Sequence, residues 1–458
     1  MDAQRGAESP AAGRWALSLV ALAIACFSQE APPARTPSRF PPSSSLAGRC
    51  DPGTEKQWVR SILDEEYLWA TEIVDVDAGV YATPGAYFDA LLVRTPTASG
   101  RPRDRFSAAY PTSALAAAIY WHGVRWTTAA LSDVRALYVR PGTPAALAGL
   151  QRGDRLLAIG GAPPGQLGAA AVLSALYPPS DAQTVDLTVV SPAGTTRTVT
   201  LKAVSFDDPG VLLDTVLERP GGKVGYLAFT SQLGSPVPEL DAAFGRFADA
   251  GVTDLVLDVR YNPGGTMDVV ASAGEMIGGT HVQGRTFAYV SPNQRVQQAR
   301  VDAGQPADWT VVFAGAEHML SLGRVYVLTT EETCSATEAL INGLAPFVTV
   351  EQVGGVTCGK PYGFDLLSNC GTTYFLLSLQ VSNAEHRGDY ADGLVPGCRA
   401  MDDLSHALGD PAEEMLAAAL AVRESGPCPP TSSGASAPPA RSEGPDLSAL
   451  RWFPANGL

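Results

Sequence analysis

The sequence predicts an α/β core joined to a mainly β module and preceded by a small helical segment. Three observations carry that expectation. From Gly221 to about Ala400, short apolar runs alternate with helical patterns. From about Ile119 to Phe206, short β-like runs are punctuated by Gly and Pro turns. Near the start, Trp58, Ile62, Leu63 and Tyr67 recur at helical spacing. A chain of 458 residues is too long for one ordinary core, which suits two or three domains.

Taken in order, the N-terminal residues carry no globular pattern. Arg5 and Arg14 precede an apolar stretch, Trp15 to Ala25, that is too short to span a bilayer and has the length of a signal h-region. Ala23-Ile24-Ala25 offers small residues for cleavage, and Cys26 follows at once. Residues 1–25 are therefore expected to be a removed signal peptide, with Cys26 as the lipidation candidate. Plain secretory cleavage is the alternative, because Ala23 stands where a lipoprotein signal usually has leucine. The expected location is exported, either periplasmic or anchored to a bacterial membrane through Cys26, with secretion as the alternative. Residues 26–48, rich in Pro, Ser and Ala, read as a flexible linker, and 429–458 as a disordered tail.

Between these ends the pattern is continuous. In the helical region 49–118, Thr54-x-x-Gln57 is a candidate capping box, and Thr83-Pro84 can open a second helix. The β module, 119–206, reads as a strand at 135–139, a small helix at 145–150, a strand at 156–159 and a hairpin of 185–190 with 196–201. The core, 207–402, alternates strands at 224–229, 254–259 and 325–329 with helices at 237–250, 267–277 and 335–344, which implies a largely parallel sheet. Residues 403–428 read as a C-terminal helix.

Composition excludes some functions. A net charge of -15 without clustered Lys and Arg argues against nucleic acid, since nothing neutralises phosphates. Besides Cys26 there are six cysteines, Cys50, Cys334, Cys358, Cys370, Cys398 and Cys428, an even number that suits disulfides in an exported protein. Cys398 with Cys428 would tie down the C-terminal segment, and Cys358 with Cys370 would close a short loop; sequence leaves the pairing open. No Cys/His spacing suggests a metal, and no motif calls for a cofactor.

The chemistry centres on Cys334-Ser335-Ala336-Thr337-Glu338, directly after the apolar strand at 325–329. A serine at a strand-to-helix junction is exposed at the sheet edge, and the free N–H groups of the helix start can stabilise an oxyanion. The bland reading is an N-cap. Two further features accompany it: Gly359-Lys360, and Arg260-Tyr261-Asn262-Pro263-Gly264-Gly265 after the strand Leu257-Asp258-Val259.

Together these stretches resemble the carboxy-terminal processing (tail-specific) protease family. That resemblance covers roughly Lys223 to Pro396. It implies that Ser335 is the nucleophile and that Lys360, 25 residues later and preceded by glycine, is the general base. It further implies an α/β protease core with crotonase/ClpP-like βα layers, and an oxyanion hole built from Ala336 and from Gly264 or Gly265. The stretch from Val139 to Asp154 is similar to the PDZ module of these proteases, which adds a peptide C-terminus to a sheet edge and captures its carboxylate on loop amides. Trp121, His122, Gly123 and Val124 are the candidate loop; a PDZ that only packs against the core is the alternative. Family members often carry a glutamine four residues after the lysine. Phe364 stands there instead, so Glu338, one turn from Ser335, is the candidate for orienting Lys360.

A lysine can act as a base only when neutral, and burial beside apolar groups such as Tyr362, Phe364 and the Leu340 face lowers its pKa. Neutral Lys360 would then take the Ser335 proton during attack on a peptide carbonyl and return it to the leaving amine. The expected function is an exported serine endopeptidase whose PDZ-like module recruits or gates protein C-termini. The rivals are a catalytically silent PDZ-bearing binding protein, a crotonase-like enzyme acting on acyl thioesters, and a triad using one of the five scattered histidines.

Overall fold

Four parallel runs form the centre of a six-stranded sheet: Gly222–Phe229, Val252–Asp258, Arg324–Thr329 and Thr349–Gly354. Cys398–Arg399 continues the parallel order on one side, and Val211–Arg219 closes the other edge antiparallel. The runs are apolar throughout because both faces are covered. Leu227, Phe229, Leu255 and Leu257 face helices Val237–Ala250, Met267–Gly278 and Ala336–Leu344. Val224, Tyr226, Ala228 and Val256 face helix Glu414–Ser425. This is the expected βα layer.

The computed structural model describes residues 39–429, except 116–119, 128–129, 179, 182, 206–209 and 233–235. The expected signal peptide, Cys26, the linker up to residue 38 and the tail beyond residue 429 lie outside the described residues.

A second sheet has no counterpart among the expected elements. Thr372–Ser382 pairs antiparallel with Ala108–Pro111, Thr286–Pro292 and Tyr362–Asn369, and Trp309–Val312 extends the far edge. The N-terminal helices lie on its face. Trp58 and Phe88 each pack on Tyr374, at 5.4 and 5.2 Å between ring centroids, and Trp69 meets Tyr362 edge-on at 5.0 Å. The first long helix, Pro52–Glu66, is capped by Asp51, whose carboxylate accepts from the Thr54 N–H at 2.9 Å. The expected Thr54/Gln57 box is thus displaced by one turn, because Pro52 already sits at the first helical position. Helix Pro84–Leu91 opens at Thr83 as expected.

In the β module, strand Arg155–Ile159 joins the hairpin Thr184–Val190 and Thr196–Lys202, while Val124–Trp126 pairs with Ala136–Val139. Its Arg152 reaches the core, donating to the Tyr261 hydroxyl and to Asp402, and Arg125 pairs with Glu332 at 3.1 Å.

The sulfur pairs are Cys50–Cys370, Cys334–Cys358 and Cys398–Cys428. The last is the pairing expected for the C-terminal segment. The expected Cys358–Cys370 loop is not formed, because Cys370 lies in the turn between two strands and meets the start of the N-terminal domain.

Candidate active site

Strand Arg324–Thr329 runs into a short turn that delivers Ser335 to the start of helix Ala336–Leu344 with φ 55°. A non-glycine residue in the left-handed region costs on the order of 1–3 kcal/mol and persists only where its surroundings over-determine it. The surroundings here do so. The Ser335 N–H donates to the Glu338 carboxylate at 2.9 Å, the Cys334 N–H donates to Asn262 O at 3.2 Å, and Cys334 is bonded to Cys358.

The Asn-Pro-Gly-Gly turn lies directly against this elbow. A Cβ on Gly264 (φ 106°) would fall 2.8 Å from the Ser335 Cβ and 3.1 Å from the Ala336 nitrogen, so only glycine permits the approach. Asn262 organises the turn from within. Its Oδ1 accepts from the Gly264 N–H at 3.0 Å and the Thr337 hydroxyl at 2.8 Å, and its Nδ2 donates to Phe229 O at 3.1 Å. Gln232 donates to Thr337 Oγ1 at 2.8 Å from the same buried network. Of the two glycine amides expected to bind an oxyanion, that of Gly264 is therefore occupied. The amides of Gly265 and Ala336 have no partner among the described residues.

Lys360 is 4% exposed. Its Nζ lies 3.8 Å from the Phe364 ring centroid and 5.4 Å from that of Phe106. Burial brings its pKa down from 10.5 to about 7, against the pull of the Glu338 and Asp104 charges. Glu338, fully buried, accepts from the main-chain N–H groups of Ser335, Gly359 and Lys360 at 2.8–2.9 Å and from the Thr357 hydroxyl. Burial pushes its carboxyl pKa up despite these donors. The bonds of Glu338 to Lys360 thus run to the main chain: one carboxylate ties the serine elbow and the lysine loop together. Leu340, expected beside the lysine, packs instead in the main core facing Gly274.

The candidate PDZ loop is differently placed. Trp121, His122, Gly123 and Val124 are all buried, Trp121 among Leu137, Tyr138 and Tyr261. Three of the five histidines are engaged elsewhere: His318 with Asp241, His406 with Asp403, and His386 stacked on Tyr289.

With this geometry in place, residues 223–363 match Peptidase family S41, residues 54–108 the Peptidase S41 N-terminal domain and residues 135–187 a PDZ domain. Over these segments the chain is similar to peptidase family S41. Two proteins named carboxyl-terminal-processing protease, from Picosynechococcus sp. and Synechocystis sp., are each 29% identical to this chain over 224 residues, or 48% of it. It spans about half the length of these curated relatives, 49% and 47%. A solved structure from Bacteroides fragilis classed as an S41 protease matches with a TM-score of 0.64 at 26% identity, covering 85% of this chain and 99% of that one. The α/β core, the PDZ domain and the helical N-terminal segment are those of the S41 fold.

Sequence reasoning missed Gln232, Thr357, Arg105 and Phe106. Thr337 and Asn262 stood inside the quoted motifs without a role. Their partnership follows from the strand order, which places the turn after residue 258 beside the turn after residue 329.

Proposed function

We propose that this chain is an exported serine endopeptidase of the C-terminal processing type, acting through Ser335 and Lys360. The observation that carries this reading is a buried lysine, with its pKa brought to about 7, held by the same carboxylate that fixes the strained serine. Near neutral pH a substantial fraction of Lys360 is unprotonated and able to accept the Ser335 proton as Oγ attacks the peptide carbonyl. The developing oxyanion would be held by the amides of Ala336 and Gly265. Lys360 then protonates the leaving amine, and the same lysine deprotonates the water that releases the acyl group. Protein or peptide substrates suit the PDZ domain, which would recruit or gate their C-termini.

A fluorophosphonate probe tests the reading. It should label Ser335, identified by peptide mapping, with labelling that rises with pH as Lys360 loses its proton. A folded protein left unlabelled at Ser335 would favour the silent peptide-binding alternative.

Export rests on the apolar stretch Trp15 to Ala25 and on Cys26. Among the described residues no helix is long and apolar enough to cross a membrane. A palmitate analogue fed to bacterial cells making the protein should mark it, and Cys26→Ser should erase the mark. An unmarked, shortened protein outside the cytoplasm would indicate plain secretory cleavage, and an unprocessed cytoplasmic one would overturn export.

A further inference from the structure

The N-terminal domain contributes three consecutive residues to the surroundings of Lys360. Arg105 Nη2 donates to the carbonyls of Cys358 at 2.7 Å, Gly359 at 3.1 Å and Ala391 at 3.0 Å, which fixes the turn that carries the lysine. Phe106 presents its ring 5.4 Å from the ammonium, which also lies 3.8 Å from the Phe364 ring centroid. Asp104 sets the conformation of the segment: its carboxylate accepts from the N–H groups of Phe106 and Ser107 at 3.1 and 2.9 Å and from the Tyr67 hydroxyl at 2.6 Å. Phe364 stands where the resembled family often has a glutamine, and it meets the ammonium with a ring face.

We propose that Asp104-Arg105-Phe106 is a positioning element of the catalytic base, with Arg105 fixing the Lys360 main chain and Phe106 and Phe364 holding its ammonium between two ring faces. The inference rests on the Ser335–Lys360 reading and deepens it. A ring face attracts the protonated form through its quadrupole, whereas an aliphatic side chain of similar bulk keeps the site dry without that attraction. The charged and titratable groups around the lysine are Glu338 on the serine helix, Asp104 and Arg105 on the N-terminal segment, Tyr362 on its own strand, and Tyr390 and Asp392 in the turn that follows. Of these, Arg105 also lies over the Phe106 ring, its guanidinium 4.6 Å from the ring centroid.

The test has two arms. Only four of the chain's 32 Lys and Arg residues are lysines, Lys56, Lys202, Lys223 and Lys360, so protein labelled at lysine 13Cε gives four NMR signals to follow against pH. In a Ser335→Ala background, which needs no turnover, Phe106→Leu should lower the Lys360 titration midpoint by about half to one pH unit, and Phe106→Tyr should leave it in place. In the active enzyme, Arg105→Gln should reduce kcat about 10²-fold with KM little changed, since displacing a catalytic group by about 1 Å costs that much. Arg105→Lys should recover part of the loss; should Arg105→Gln fail to fold, Arg105→Lys is read alone, by a smaller fall in kcat. An unmoved midpoint in Phe106→Leu, or turnover within twofold of the wild type in the folded Arg105 variant, overturns the proposal. Full turnover in Ser335→Ala would overturn the dyad itself, and the titration arm would still report on the ring faces.

Discussion

Ser335→Ala is expected to lose at least about 10³-fold in peptidase activity while keeping its fold, because loss of a nucleophile that acts as a unit with its base removes nearly all turnover. The hydroxyl is what the substitution takes away. The main-chain N–H of residue 335 still donates to Glu338, the Cys334–Cys358 bond remains, and the turn at Gly264 still meets the elbow. An N-cap substitution costs about 1 kcal/mol, which in a domain of this size moves the thermal midpoint by about 2–4 °C. Residual hydrolysis above a few per cent in a folded Ser335→Ala protein would place the nucleophile elsewhere.

Lys360→Arg should be nearly as inactive as Lys360→Ala, a loss of about 10²–10⁴-fold, because a guanidinium does not deprotonate in proteins. In the wild type, kcat/KM should climb through about pH 7 and level off above it, since the protonated lysine below that pH cannot act as a base. The same displacement of the pKa has a stability consequence of definite sign. Between pH 7 and 10.5 the unfolded chain holds a proton on this lysine that the folded chain has released, so stability rises with pH across that window. Lys360→Met, which removes the buried ammonium, should flatten that rise and raise the thermal midpoint at neutral pH. A Lys360→Arg enzyme with near-normal turnover, or a single histidine variant as inactive as Ser335→Ala, would assign the base to another group.

The parallel sheet was legible because strands covered on both faces are written as unbroken apolar runs, as in Leu255-Val256-Leu257 and Val325-Tyr326-Val327-Leu328. The antiparallel sheet was not. Thr372–Ser382 buries nearly all of its length, because helices of the N-terminal domain cover one side, and it shows no alternation to mark a hairpin. Ser335, Lys360 and the glycine turn were legible from their order and spacing. Sequence placed Glu338 one turn from Ser335 and could not show that its carboxylate meets the lysine main chain. Phe106 and Arg105 were invisible, because each reaches its partners across more than 250 residues of chain. The Cys358–Cys370 pairing failed for the same reason: Cys370 lies near Cys358 in sequence but joins Cys50 in the fold.

The Cys50–Cys370 bond joins residues 320 apart and so closes a covalent ring that contains the entire PDZ domain. Its anchor at residue 370 sits in the hairpin turn between Tyr362–Asn369 and Thr372–Ser382, just beyond the strand that begins two residues after Lys360. The PDZ domain is therefore an insertion between two cross-linked ends, joined to the core non-covalently through contacts such as Arg125–Glu332 and Arg152–Tyr261. Reduction of this one bond would break the ring, and the lysine's second aromatic face would then depend on non-covalent packing alone.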